Sequence, residues 1–187
     1  GITECSPVIA VNRNFYHRDG SVGQILQDCE VRIYTKDMKK SEGEIQVKGS
    51  NVMLGYYNDS KETEEAFEEG WFKTGDLGYV DEEGFLYITG RKKNLIILPN
   101  GENVSPEELE EKVLQIPYVK EVVVSEIDEQ IQAEVFLDKE IEPDAEQKIK
   151  QSIHTLNKSL PNYKKITRTV IREKEFEKTS TKKIKRN

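Results

Sequence analysis

The chain is poor in cysteine, in histidine and in long apolar runs, and each shortage removes a class of protein. Two cysteines among 187 residues, Cys5 and Cys29, make neither a disulfide framework nor a zinc-ligand spacing. The setting they suggest is reducing and cytoplasmic. No apolar stretch approaches the length that crosses a bilayer, so no transmembrane segment is expected. The net charge of -7 argues against a general nucleic-acid binder, whose affinity would come from neutralising phosphates. The two histidines, His17 and His154, stand alone rather than in a cluster. His154 reads as a polar neighbour of the apolar Ile153, and neither histidine is a candidate ligand. No internal repeat or low-complexity segment is visible, and no secretory leader opens the chain. It begins at Gly1 rather than Met and reads as a piece of something longer.

What remains is a polar globular composition, 35% hydrophobic and 34% charged, long enough for one domain or two small ones. From Asp19 to Gly90 the patterning is β-rich. Val31 and Ile33 alternate with charges between Cys29 and Tyr34, and Gly43 to Val47 repeats the alternation. Ser60 is read as the cap of a short acidic helix that Gly70 ends, with Ala66 and Phe67 as its buried side. Val80-Asp81-Glu82-Glu83-Gly84-Phe85 reads as a hairpin returning the chain to Gly90.

Past Gly90 helices and strands alternate. Leu95 to Leu98 is apolar, Pro99-Asn100-Gly101 turns, and Ser105-Pro106-Glu107-Glu108 reads as a capping box with Pro at the first helical position. Leu109, Val113 and Ile116 share one face of that helix. Strands are expected over Val119–Ser125, Ile131–Leu137 and Ile166–Ile171. A second helix over Ala145–Leu156 would turn Ala145, Ile149, Ile153 and Leu156 inward, with Leu160-Pro161 stopping it.

Two clusters carry chemistry. Thr74-Gly75-Asp76 ends an apolar stretch, and an ionised Asp there can accept from the paired hydroxyls of a ribose or close a turn onto backbone N–H groups. Gly90-Arg91-Lys92-Lys93-Asn94 puts three cations after the alternating Phe85-Leu86-Tyr87-Ile88, a natural place to bend or simply a solvated strand end.

In order and spacing these clusters resemble a motif pair of the adenylate-forming enzymes, the family of acyl-CoA synthetases, peptide-synthetase adenylation domains and luciferases. The resemblance spans the chain. Gly1-Ile2-Thr3-Glu4 is similar to the family's Tyr-Gly-x-Thr-Glu with the Tyr missing, and Gly43–Gly49 with Gly55-Tyr56-Tyr57-Asn58 resembles an architectural block. Glu177–Arg186 resembles Pro-x-Thr-x-x-Gly-Lys-Ile-x-Arg, with Glu177 in place of the Pro and Lys182 in place of the Gly. By composition alone that tail is a solvated charge run. The resemblance makes Lys183 the family's lysine, with Lys182 beside it as a second cation.

The resemblance implies an α+β fold: a small β-rich distorted barrel over residues 1–90, closing a large N-terminal domain, a hinge at 91–93, and a mobile α+β lid over 94–187. It implies an acid–thiol ligase using ATP, magnesium and coenzyme A. Thr3, Asp76 and Arg91 would bind the nucleotide, Glu4 the magnesium, Gly101 the coenzyme A arm, with Lys93 as hinge and Lys183 as the catalytic cation. Gly101 is otherwise an ordinary turn glycine. The block Gly90–Glu108 looks closer to the fatty acyl-CoA synthetase branch than to amino-acid adenylation domains. The family's phosphate loop and acyl pocket are not among these residues, so the chain alone is expected to be inactive, and its uncovered apolar surface to favour a dimer. Other readings are an adenylation domain loading a carrier protein, a binding module acting in trans, and a regulatory protein that has lost catalysis.

Overall fold

The computed structural model describes residues 1–36, 41–138, 145–180 and 182–186. Contacts between Cα atoms divide the chain into two units, Gly1–Lys93 and Asn94–Asn187. The fold is α+β, as the resemblance implies. No helix among the described residues is long and apolar enough to cross a membrane.

The first unit is a seven-stranded sheet. In chain order it contains β1 (Ala10–Val11), β2 (Gly23–Ile25), β3 (Cys29–Tyr34), β4 (Gly43–Gly49), the short helix α1 (Ser60–Ala66), β5 (Phe67–Glu68), β6 (Trp71–Val80) and β7 (Phe85–Arg91). The strand order is β1-β2-β7-β6-β4-β3, with β5 added beside β6. Val31, Ile33, Ile45, Val47, Phe72 and Leu86 point to one apolar cluster with Cys5, Ile9 and Cys29. Alternation along β3 and β4 produces this arrangement, because successive side chains leave opposite faces of a strand. The β6–β7 turn forms as expected: the Asp81 carboxylate accepts from the N–H groups of Glu83 and Phe85 at 3.0 and 2.8 Å.

Two local expectations are corrected. The cap of α1 is Asp59, one residue ahead of Ser60, because its carboxylate accepts from the Glu62 N–H at 2.9 Å. The helix stops at Ala66, well before Gly70. Phe67 is extended and pairs with Phe72, their rings edge-on at 5.6 Å, while Gly70 serves the tight turn from β5 into β6.

The second unit packs two helices on a three-stranded sheet. Its elements are β8 (Ile96–Ile97), β9 (Asn103–Val104), α2 (Pro106–Leu114), β10 (Val119–Ile127), β11 (Gln130–Leu137), α3 (Ala145–Ser159) and β12 (Arg168–Arg172). Strands β10 and β11 form an antiparallel hairpin, and β12 joins β11 in parallel. A parallel neighbour needs a crossover, which α3 supplies. Leu109 and Val113 from α2, Val122 and Val124 from β10, Ile131, Ala133 and Val135 from β11, and Ile149 and Ile153 from α3 share one core. Ile116 and Leu156 are half-buried at its margin. The Ala145 side chain lies outside the described residues.

Some boundaries and one cap differ from the pattern. Helix α3 runs one turn past Leu156, to Ser159. Strand β12 starts at Arg168 rather than Ile166, since Asn157 brackets Ile166 from α3, accepting its N–H at 2.9 Å and donating to its carbonyl at 2.7 Å. The capping box of α2 does not close. Ser105 makes no side-chain cap bond and donates to Glu107 at 3.0 Å, while Glu108 is drawn to Lys164 and Lys112.

Candidate active site

In the first unit the Thr74-Gly75-Asp76 segment is a bulge. Glu44 pairs with Leu77 and Gln46 with Lys73, so Ile45 alone faces the three residues between. Thr74, 6% exposed, pins the bulge: its hydroxyl donates to the Ile45 carbonyl at 2.7 Å and accepts from the Asp76 N–H at 3.1 Å. Gly75 takes φ 71°, the left-handed region that costs a side chain energy. Bulges re-aim side chains, and here Asp76 is the side chain re-aimed. It is the register partner of Arg91 on β7, and the Arg91 Nε forms an ion pair with its carboxylate at 2.7 Å. The two residues nominated by the separate clusters therefore meet.

Asp76 and Thr74 line a hollow together with Gly1, Ile2, Ile45 and Ile88. Thr3 and Glu4 follow directly, in a 3₁₀ turn over Thr3–Cys5 that is held rather than frayed. The Ile2 N–H donates to the Pro7 carbonyl at 2.7 Å, Asn51 donates to the Cys5 and Val8 carbonyls at 3.1 and 3.2 Å, and Cys5 is fully buried. Thr3 is exposed. The Glu4 carboxylate accepts from the Tyr56 hydroxyl at 3.1 Å. Burial and the nearby Glu4 push the Tyr56 hydroxyl pKa up, which keeps it a donor. Sequence reasoning took the Gly55–Asn58 block as architectural and missed this contact.

Among the described residues no three His, Cys, Asp or Glu side chains are grouped to hold a metal. Glu4 offers one carboxylate, which suits a magnesium ion that takes its other ligands from phosphate oxygens and water.

After β7 the chain makes a 3₁₀ turn over Lys92–Asn94. Lys92 is tied to the first unit through Glu44 at 2.8 Å, and Asn94 to the second through Glu107. Lys93 lies between them, exposed.

In the second unit Gly101 sits in the loop joining β8 to β9, at φ 82°. The space where its Cβ would point is open, so the backbone angle rather than crowding requires glycine there.

The tail is a small hairpin, not a loose charge run. Lys178 and Ile184 pair across it, and the Thr179 and Lys185 N–H groups donate to the Lys183 and Glu177 carbonyls at 2.8 Å each. Lys182 takes φ 62°. A left-handed residue is what the turn needs, which accounts physically for a glycine at this place in the resembled motif. Thr181 lies outside the described residues. The flanking cations are engaged: Lys178 with Glu121 and Glu175, Lys185 with Glu177, Arg186 with Glu107 and Glu110. Lys182 and Lys183 are exposed and make no ion pair among the described residues. Glu110 and Glu121 carry no motif signature and were invisible to the sequence reading.

The AMP-binding enzyme C-terminal domain matches residues 93–187. A 2-succinylbenzoate–CoA ligase of Bacillus velezensis is 47% identical over 131 residues, 67% of this chain and 26% of its own length. A long-chain-fatty-acid–CoA ligase of Escherichia coli is 41% identical over 127 residues, 65% of this chain and 22% of its own. Among solved structures, o-succinylbenzoate CoA synthetase from Bacillus subtilis with its acyl-adenylate intermediate aligns at TM-score 0.80 and 32% identity, covering 98% of this chain and 38% of that one. The chain thus spans about a quarter of the curated relatives' length. The match across residues 93–187 places the chain in the family of AMP-binding enzymes, whose C-terminal domain it carries.

Proposed function

We propose that the chain is the C-terminal part of an AMP-forming acid–CoA ligase. In the first half-reaction a carboxylate attacks the α-phosphate of ATP, giving acyl-AMP and releasing pyrophosphate. In the second, the coenzyme A thiol takes the acyl group and AMP leaves. Asp76 holds the ribose hydroxyls, oriented by Arg91, and Thr3 meets the phosphates. Glu4, positioned by Tyr56, would hold the magnesium, which screens phosphate charge. Lys183 offsets the repulsion between the incoming carboxylate and the phosphate, where an ammonium on a flexible stem can bridge an oxygen of each. Lys93 is the pivot on which the second unit turns between half-reactions, and the Gly101 loop then meets the pantetheine arm of coenzyme A.

One observation carries this reading. Within the family match, Lys183 and its neighbour Lys182 are left exposed and without an ion pair among the described residues, at a hairpin whose other cations, Lys178, Lys185 and Arg186, are paired. In the ligase that carries this chain, Lys183→Ala should abolish pyrophosphate release from ATP and acid while sparing thioester formation from supplied acyl-AMP. Equal loss of both halves would refute the role. The 187-residue chain alone should release no pyrophosphate above background, since the phosphate loop is expected elsewhere.

The acid is a fatty acid on the resemblance of the Gly90–Glu108 block, and a long-chain-fatty-acid–CoA ligase stands among the relatives. The higher identity to a 2-succinylbenzoate–CoA ligase favours 2-succinylbenzoate as a second reading. ATP–pyrophosphate exchange with each acid separates them. Phe15, Leu54 and Tyr57 are exposed apolar side chains that would favour pairing of the isolated chain with a second copy, and light scattering would detect that dimer.

A further inference from the structure

A terminal segment beyond the last strand of a sheet ordinarily frays. Here the segment after β12 is gripped at two feet by carboxylates from different elements. Glu121 on β10, with its side chain 8% exposed, accepts the Phe176 backbone N–H at 2.9 Å and pairs with the Lys178 ammonium. Glu110 on α2 accepts from Arg186 through one oxygen and from the Val124 N–H, at 2.7 Å, through the other. Lys183 lies between these feet, directly before Ile184, which pairs with Lys178 across the hairpin.

The Glu121 grip differs in kind from an ordinary surface bridge. Its carboxylate is out of water, where an ion pair contributes little net stability because desolvation offsets the attraction. Its backbone contact does something an apolar contact cannot: it fixes which residue of the segment sits at β10, and so the register of everything that follows. Phe176 could slide along an apolar face, but its N–H cannot leave a buried carboxylate without stranding it. The Phe176 ring is buried under the Arg172 guanidinium, which is itself held by Glu134 at 2.7 Å, so the foot is braced from β12 as well.

We propose that Glu121 is a positioning residue for Lys183, setting the register of the tail hairpin that delivers this lysine to the adenylation reaction. The proposal rests on the function proposed above for Lys183.

The test compares Glu121→Ala, the near-isosteric Glu121→Gln and Lys178→Met with Lys183→Ala in the ligase that carries this chain. Each is assayed for pyrophosphate release from ATP and acid, and for thioester formation from supplied acyl-AMP and coenzyme A. Misplacing a reacting group by about 1 Å can cost ~100-fold, so Glu121→Ala should lower adenylation on that scale. Thioester formation should change by less than ~threefold, a split that simple loss of folding would not produce. Glu121→Gln retains an acceptor for the Phe176 N–H and should fall between Glu121→Ala and the parent. In the 187-residue chain itself, amide exchange over 176–185 should quicken in Glu121→Ala while that of β11 is unchanged. Adenylation retained in Glu121→Ala, or both half-reactions falling together in Glu121→Gln, overturns the proposal. If Lys183→Ala leaves adenylation intact, the functional reading itself falls; if only the Glu121 variants do, this inference falls alone.

Discussion

Arg91 and Asp76 are cross-strand partners, and the guanidinium Nε pairs with the carboxylate at 2.7 Å across β6 and β7. Arg91 is 43% exposed and Asp76 17%, so water screens the pair from one side and its share of stability should be small, about 0–1 kcal/mol. Its effect on nucleotide binding should be larger. In the proposed ligase carrying this chain, Arg91→Ala should raise the KM for ATP by ~10-fold, equivalent to about 1.4 kcal/mol of lost binding. Urea unfolding and an ATP titration on the same variant check this. A loss confined to stability would make Arg91 a structural bridge only.

Lys182 supplies a second test of the tail. At φ 62° a side chain costs about 1–2 kcal/mol relative to glycine, part of which glycine returns through its more flexible unfolded state. Lys182→Gly should therefore hold stability or raise it by up to ~1 kcal/mol, read by thermal unfolding. If Lys183 has the role proposed for it, adenylation should survive. Activity lost in Lys182→Gly, with Lys183→Ala active, would exchange the two roles.

The buried amino-terminal turn makes a chemical prediction. Cys5 is fully buried, and burial, with smaller contributions from Cys29 and Glu4, pushes its thiol pKa up to about 11. At pH 8 only ~1 in 1,000 Cys5 thiols is then ionised, and the thiolate is the reactive form. Iodoacetamide should leave Cys5 unmodified in the native chain and label it in urea, as mass spectrometry of the digested chain would show. Rapid native labelling would mean that the turn holding Thr3 and Glu4 opens readily.

The strands and helices were legible where side-chain alternation is strong. The period-two pattern of Ile131, Ala133 and Val135 and the helical spacing of Ile149 and Ile153 both lead to the core found. Boundaries failed where a long-range partner decided them. Phe67 left the helix to pair with Phe72, Glu108 left the cap for Lys164, and Ile166 was held off the strand by Asn157. Asp76 and Arg91 could be nominated from separate motifs, and their meeting follows from one hairpin register. Glu121 could not be nominated. Nothing in a strand sequence tells which of its charged residues will face a segment arriving from more than fifty positions away.

Glu110 gives the tail a measurable pH signature. Burial pushes its carboxyl pKa above the ordinary carboxylate value, with the Val124 N–H and Arg186 pulling the other way. A carboxyl whose folded pKa is raised binds its proton more tightly in the folded state. Its stabilising contribution is fully present below the unfolded pKa of about 4.3 and is lost as pH rises through the raised folded value. Glu110→Gln cannot ionise and serves as the reference. The stability of the parent chain relative to Glu110→Gln should fall as pH is raised from ~4 toward neutrality, read as the difference between their urea midpoints. If the parent instead gains on the variant, Arg186 and the Val124 N–H outweigh burial. A falling difference would mean that the carboxylate seating Arg186 is held in its ionised form at a cost, as suits a group that places the Lys183 hairpin more than it stabilises the unit.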